Sequence, residues 1–166
     1  MNRRQATRVT DEQAQYPPVP KNAIFVFGSN LAGRHGKGAA LTARQQYGAI
    51  YGQGIGLQGK SYAIPTKDEH LRVLPLHTIA AHVRHFLSFA RSHPQLRFAL
   101  TPIGCGLAGY KEHQIAPLFA AAPLHLINPL GWDTYRSPSP APVPTLSNPP
   151  NHQTTQDYNH RSNAPN

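Results

Sequence analysis

An α/β fold, with largely parallel strands joined by helices that cover both faces of the sheet, follows from three observations. Short apolar runs and helix-like segments alternate along the 166-residue chain in the order βαβαβαβ. The first of these runs lacks polar/apolar alternation, as strands buried on both faces do. Glycine-rich stretches then follow the ends of the first and third strands, on the edge where open α/β sheets bind ligands.

The first strand rests on Ile24, Phe25, Val26 and Phe27, aromatic or β-branched residues that Gly28 is expected to end. Gly33, Gly36 and Gly38 follow, interleaved with Arg34, His35 and Lys37, just before the alanine-rich segment from Ala39 to Arg44. Glycines let backbone amides approach an anion, a helix N-terminus adds its dipole, and basic residues add charge. The spacing matches neither GxGxxG nor GxxxxGK[ST]. Two readings stay open for this stretch alone: a phosphate cradle, or a surface loop that uses glycine only to turn tightly.

A helix is predicted from about Gly38 to Tyr47, with Gly48 capping it. The glycine-broken stretch from Ala49 to Lys60 reads as a tight excursion with a short strand around Ile50 and Tyr51. Ser61 to Ile64 is a second core strand, stopped by Pro65, so that Thr66, Lys67, Asp68 and Glu69 lie just past its end. Ile79, Val83, Phe86 and Ala90 recur at helical spacing within 78–92, ahead of Pro94. His82 and His85, one turn apart there, read as surface histidines and not as metal ligands; no metal is expected. Arg97 to Thr101 is the third strand and runs into the glycine-rich stretch 102–110. A short helix with its first turn at Gln114 to Pro117 and a last strand from Leu124 to Asn128 complete the order.

The length suits one core, expected at 21–135, with disordered tails at 1–20 and 136–166 where Pro, Ser, Asn, Thr and Gln dominate. That domain holds eleven Lys and Arg against Asp68, Glu69, Glu112 and Asp133, a formal +7, which favours an anionic partner: a phosphorylated small molecule or a nucleic acid. Cys105 is the only cysteine, which excludes an internal disulfide and a cysteine-rich zinc site. No run reaches a membrane span or a secretion signal, so a cytoplasmic protein without membrane partners is expected.

Three stretches, in order, resemble a macro domain, the ADP-ribose-binding α/β module. Val26-Phe27-Gly28-Ser29-Asn30 resembles the family's VNAAN strand end, and Gly36-Lys37-Gly38-Ala39-Ala40 resembles its GGGVA. Ile103-Gly104-Cys105-Gly106-Leu107-Ala108-Gly109-Tyr110 resembles its second phosphate loop. The match covers roughly 23–128 and is similar to the branch that includes terminal ADP-ribose glycohydrolase, and to phage and bacterial macro-like proteins carrying FGSN, GRHG and IPTKD.

The resemblance implies a compact three-layer fold that binds ADP-ribose or a derivative. Asn30 would bond the distal ribose, the backbone of 36–39 and 103–109 would wrap ribose and diphosphate, and Gly28, Ser29 and Thr66 would complete the floor. No cofactor is implied, because backbone amides can satisfy a diphosphate without a metal. The implied activity is hydrolysis of an ADP-ribosyl linkage or processing of ADP-ribose 1″-phosphate. Lys67 matches the lysine that attacks the anomeric carbon, but Ala108 stands where that branch has its assisting aspartate. Asp68, Glu69 and His35 are candidate replacement bases. Cys105, between small neighbours, reads as a packed residue rather than a nucleophile. A non-enzymatic nucleotide-sequestering protein and an RNA-binding module are the rival expectations.

Overall fold

The structure is a computed structural model describing residues 19–138, so the tail expectations for 1–18 and 139–166 lie outside the described residues. The elements are β1 (Ala23–Asn30), α1 (Gly38–Gln46), β2 (Gly56–Gln58), β3 (Ser61–Lys67), α2 (Leu76–Ser92), β4 (Arg97–Leu100), α3 (Glu112–Ile115) and β5 (Leu126–Ile127). Short 3₁₀ turns at Ala116–Phe119 and Trp132–Tyr135 complete them. The sheet order is β2-β3-β1-β4-β5, parallel except for the β2–β3 pair. The α/β class with helices on both faces is thus the fold observed.

Period-two alternation along β1 assigns its side chains to two cores. Phe25 and Phe27 face α1 with Ala40, Ala43 and Ala63, and Tyr47 stacks on Phe25 with ring centroids 4.4 Å apart. Val26 faces the other side, where Tyr62, Ile64, Phe98 and Leu100 meet the α2 stripe of Ile79, Val83, Phe86 and Ala90. All four stripe residues are fully buried, and each large one contributes roughly 1.5–3 kcal/mol by leaving water. Gly48 closes α1 in the left-handed region, φ 73°, and the Ala49 amide reaches back to the Ala43 carbonyl.

Several boundaries differ from expectation for identifiable reasons. Gly28 does not end β1; it pairs with Ile64, and the strand continues through Ser29 and Asn30. Pro65 does not stop β3 either: the β2 ladder ends at Gly56 opposite Ala63, two residues short of it. A proline beyond the neighbouring strand's reach removes no ladder bond there. Thr66 and Lys67 are therefore the last strand residues, not the start of a loop.

The excursion at 49–60 carries its strand at Gly56–Gln58, not at Ile50–Tyr51. There the Gln53 Nε2 donates to the Ile55 and Leu57 carbonyls at 3.3 and 3.1 Å, which occupies the edge that β2 would otherwise leave open. Helix α3 starts at Glu112, ahead of the expected Gln114, and β5 keeps only two of its five expected residues. Arg136 and Ser137, assigned to the tail, bond to the domain: the Ser137 amide donates to the Ala120 carbonyl at 2.7 Å, and Arg136 donates to the Pro123 and Leu126 carbonyls.

Candidate functional site

Because β3, β1 and β4 are adjacent and parallel, the segments leaving their C-terminal ends emerge side by side. They enclose a cleft of about 960 Å³ lined by Gly28–Asn30, Arg34, Gly36–Leu41, Thr66, Lys67, Leu71, Thr101–Gly104 and Gly106–Ala108. This gathers Gly28, Ser29, Asn30, Gly36, Lys37, Gly38, Ala39, Thr66, Lys67, Ile103, Gly104, Gly106, Leu107 and Ala108 from the sequence-stated site. Arg34, expected in the glycine-rich loop for its charge, lines the cleft too, and Ala40, Leu41, Leu71, Thr101 and Pro102 join them.

The lining has three cations, Arg34, Lys37 and Lys67, and no carboxylate. The N-cap residue of α1, Lys37, makes no side-chain capping bond, and the first turn has no acidic residue. The amides of Gly38, Ala39 and Ala40 have no protein partner among the described residues, as helix geometry leaves first-turn donors. Facing them, the 102–110 loop folds on its own bonds, Cys105 amide to Pro102 carbonyl, Gly109 to Gly106 and Tyr110 to Gly104. The Gly106, Leu107 and Ala108 amides have no partner among the described residues. The two loops are close, for a Cβ on Gly38 would lie 3.8 Å from Leu107 Cδ1. Two stretches of amides with no partner among the described residues thus line one positively charged space, an arrangement suited to a phosphate group.

The polar floor divides into groups already bonded and one still available. Ser29 Oγ donates to the Gly54 carbonyl, Thr66 Oγ1 to the Ser29 carbonyl and Thr101 Oγ1 to the Val26 carbonyl. Asn30 is different: its Oδ1 accepts the Arg34 amide at 3.1 Å, which fixes the flip and leaves the Nδ2 donors without a partner among the described residues. Lys67 is half-buried, and its ammonium makes no hydrogen bond or ion pair among the described residues.

No family model matches the chain, and no curated protein matches it. Two solved structures are similar to it, both from Bacteroides thetaiotaomicron. One, described as a protein of unknown function, is 19% identical with a TM-score of 0.41, over 66% of this chain and 83% of that one. The other is also 19% identical, with a TM-score of 0.39, over 62% and 83%.

Other sequence-stated residues do not line the cleft. His35 is fully buried beneath it, edge-on to Phe27 with ring centroids 5.1 Å apart, and its Nε2 donates to the Gln53 carbonyl at 2.9 Å. That removes it from reach of a ligand as a base. Its φ of 39° lets the chain turn the imidazole inward while Arg34 and Gly36 stay on the surface. Asp68 is engaged in its own turn: Oδ1 accepts the His70 and Arg72 amides at 2.8 and 2.9 Å, and Oδ2 the Arg72 Nε at 2.7 Å. Glu69 is exposed beside His70.

Cys105 is half-buried, and burial, then Glu112, push its thiol up to about 11, so it is not a thiolate nucleophile at neutral pH. Gly109 and Tyr110 support the loop from behind. The Tyr110 hydroxyl donates to the Leu74 carbonyl at 2.7 Å, tying this loop to the segment after β3. Among the described residues no three His, Cys, Asp or Glu side chains gather, and no helix is long and apolar enough to cross a membrane.

Burial pushes the Asp68 carboxyl up, but the bonds from Arg72 and His70 outweigh it and hold the group below its ordinary 3.8. A folded-state value lowered in this way stabilises the turn fully above about 3.8, and the contribution is lost as pH falls through the folded value. Asp68→Asn should therefore lower the melting midpoint slightly at pH 7, with the gap to wild type closing as pH falls below the ordinary 3.8. A gap independent of pH would mean that the carboxylate charge is not what holds the turn.

Proposed function

We propose that the protein is a macro-domain-like binder of ADP-ribose or an ADP-ribose derivative. One observation carries the reading: the first turn of α1, uncapped by a side chain, and residues 106–108, whose amides have no partner among the described residues, line one cleft that has three cations and no carboxylate. A diphosphate matches this lining in charge and in acceptor number. Asn30, with Nδ2 unbonded, is the donor for the hydroxyls of the ribose beyond the diphosphate. The volume also suits a nucleotide-sized ligand.

Lys67 favours a second reading, hydrolysis at the terminal ribose, since it lines the same cleft and its side chain has no partner among the described residues. Binding is the better supported of the two, because a hydrolase of this kind also needs a base and none of His35, Asp68 or Glu69 lines the cleft.

Calorimetric titration of the full chain with ADP-ribose, AMP and a short single-stranded RNA tests the reading. ADP-ribose should bind about tenfold or more tighter than AMP, which lacks the second phosphate and the terminal ribose; one or two charge-assisted bonds account for that ratio. RNA binding with a steep salt slope, and none of ADP-ribose, would turn the conclusion to a nucleic-acid module.

A further inference from the structure

Leu71 is the residue in the cleft wall that the fold itself does not account for. It sits in the left-handed region, φ 66°, where a side-chain-bearing residue is strained and glycine is not. It is 43% exposed and is not among the residues packed against either core. The turn holds it in that conformation with several bonds. The Asp68 carboxylate takes two amides and the Arg72 guanidinium, the Leu71 amide donates to the Asp68 carbonyl at 3.2 Å, and Lys67 bridges Val73. Neither burial nor backbone ease explains a leucine here, but it lines the cleft. Strain maintained at a ligand wall points to a contact made by the side chain.

Its position says which part of a ligand it meets. The segments after β3, β1 and β4 lie across the cleft in that order. The amide donors belong to the segments after β1 and β4, and Leu71 to the turn after β3. Lys67, the last residue of β3 before that turn, pairs with Asn30. Beyond the diphosphate and the ribose at Asn30, a ligand therefore reaches Leu71 with whatever that ribose carries. Arg34, Lys37 and Lys67 line the same space, which disfavours a cationic group, and the leucine offers only apolar surface.

We propose that Leu71 forms a subsite for an uncharged, flat or apolar substituent on the anomeric carbon of the terminal ribose, so that the full ligand is an ADP-ribose bearing a second ring. This rests on the diphosphate reading of the cleft.

The test compares wild type with Leu71→Gly, a change that suits φ 66° and should keep the melting midpoint close to wild type. The probes are ADP-ribose and NADH, whose dihydronicotinamide is an uncharged ring on that carbon. Wild type should bind NADH about fivefold to tenfold tighter than ADP-ribose, as partial burial of a leucine against a ring provides. Leu71→Gly should lose the preference, binding NADH no tighter than ADP-ribose. Equal affinity of wild type for the two probes, or the same ratio in both proteins, overturns the subsite and leaves the diphosphate reading standing. Failure of wild type to bind either probe overturns both.

Discussion

Gly106→Val should reduce ADP-ribose affinity on the order of a hundredfold while the protein unfolds at the wild-type temperature. A Cβ on Gly106 meets nothing within 4 Å, and the residue's φ lies outside the left-handed region, so the chain accepts a side chain without strain. The same residue lines the cleft and begins the run of unbonded amides at 106–108. A valine there occupies ligand space and keeps phosphate oxygens from those donors. Loss of one or two charge-assisted bonds at roughly 1.5–3 kcal/mol each gives the expected factor. Gly38→Val is a less decisive test even though it faces the same space: Gly38 has φ 56°, so weaker binding there would mix backbone strain with blocked access. Wild-type affinity in Gly106→Val, measured by calorimetry beside a thermal melt, would remove the 106–108 amides from the site.

The gathering of the two glycine-rich loops at one sheet edge was legible because glycine clusters at the ends of apolar runs reflect a direct physical need, close backbone approach at strand termini. The α2 stripe was legible too, since Ile79, Val83, Phe86 and Ala90 carry the helical period and all are buried. Pro65 misled because its cost depends on whether a neighbour stands opposite its missing N–H, which is a property of the sheet and not of the residue. β2 was misplaced because Gly56, Leu57 and Gln58 have little strand propensity; a side-chain amide, Gln53, finishes that edge.

His35 was misread for a related reason. Flanked by Arg34, Gly36 and Lys37 it looks solvent-facing, yet one unusual φ turns it under the loop against Phe27. Asp68 was legible as a cleft-side carboxylate only until its partners were known, since the turn occupies both of its oxygens. Leu71 gave no signal at all, as nothing in the tetrapeptide around it announces a left-handed leucine.

Ala108→Asp and Lys67→Ala together should separate a binder from a hydrolase, with release of ADP-ribose from an ester-linked ADP-ribosyl substrate as the readout. Both residues line the cleft, so the introduced carboxylate shares one space with the lysine. The natural lining has no carboxylate there, and the wild-type chain is expected to turn over weakly. A positioned base typically contributes about a hundredfold or more, and that is the rise expected for Ala108→Asp if the lysine attacks the anomeric carbon. The same carboxylate competes with phosphate for Arg34 and Lys37, so a severalfold loss of ADP-ribose affinity should accompany the gain. Adding Lys67→Ala to that variant should return turnover to background without further loss of affinity, because an attacking group acts in the transition state and not in ground-state binding. The opposite pattern is as informative. If Ala108→Asp weakens binding without turnover, and Lys67→Ala in the natural chain weakens ADP-ribose binding about tenfold, then Lys67 is a phosphate contact. The cleft then has cations and amides to hold a diphosphate and no group that moves a proton.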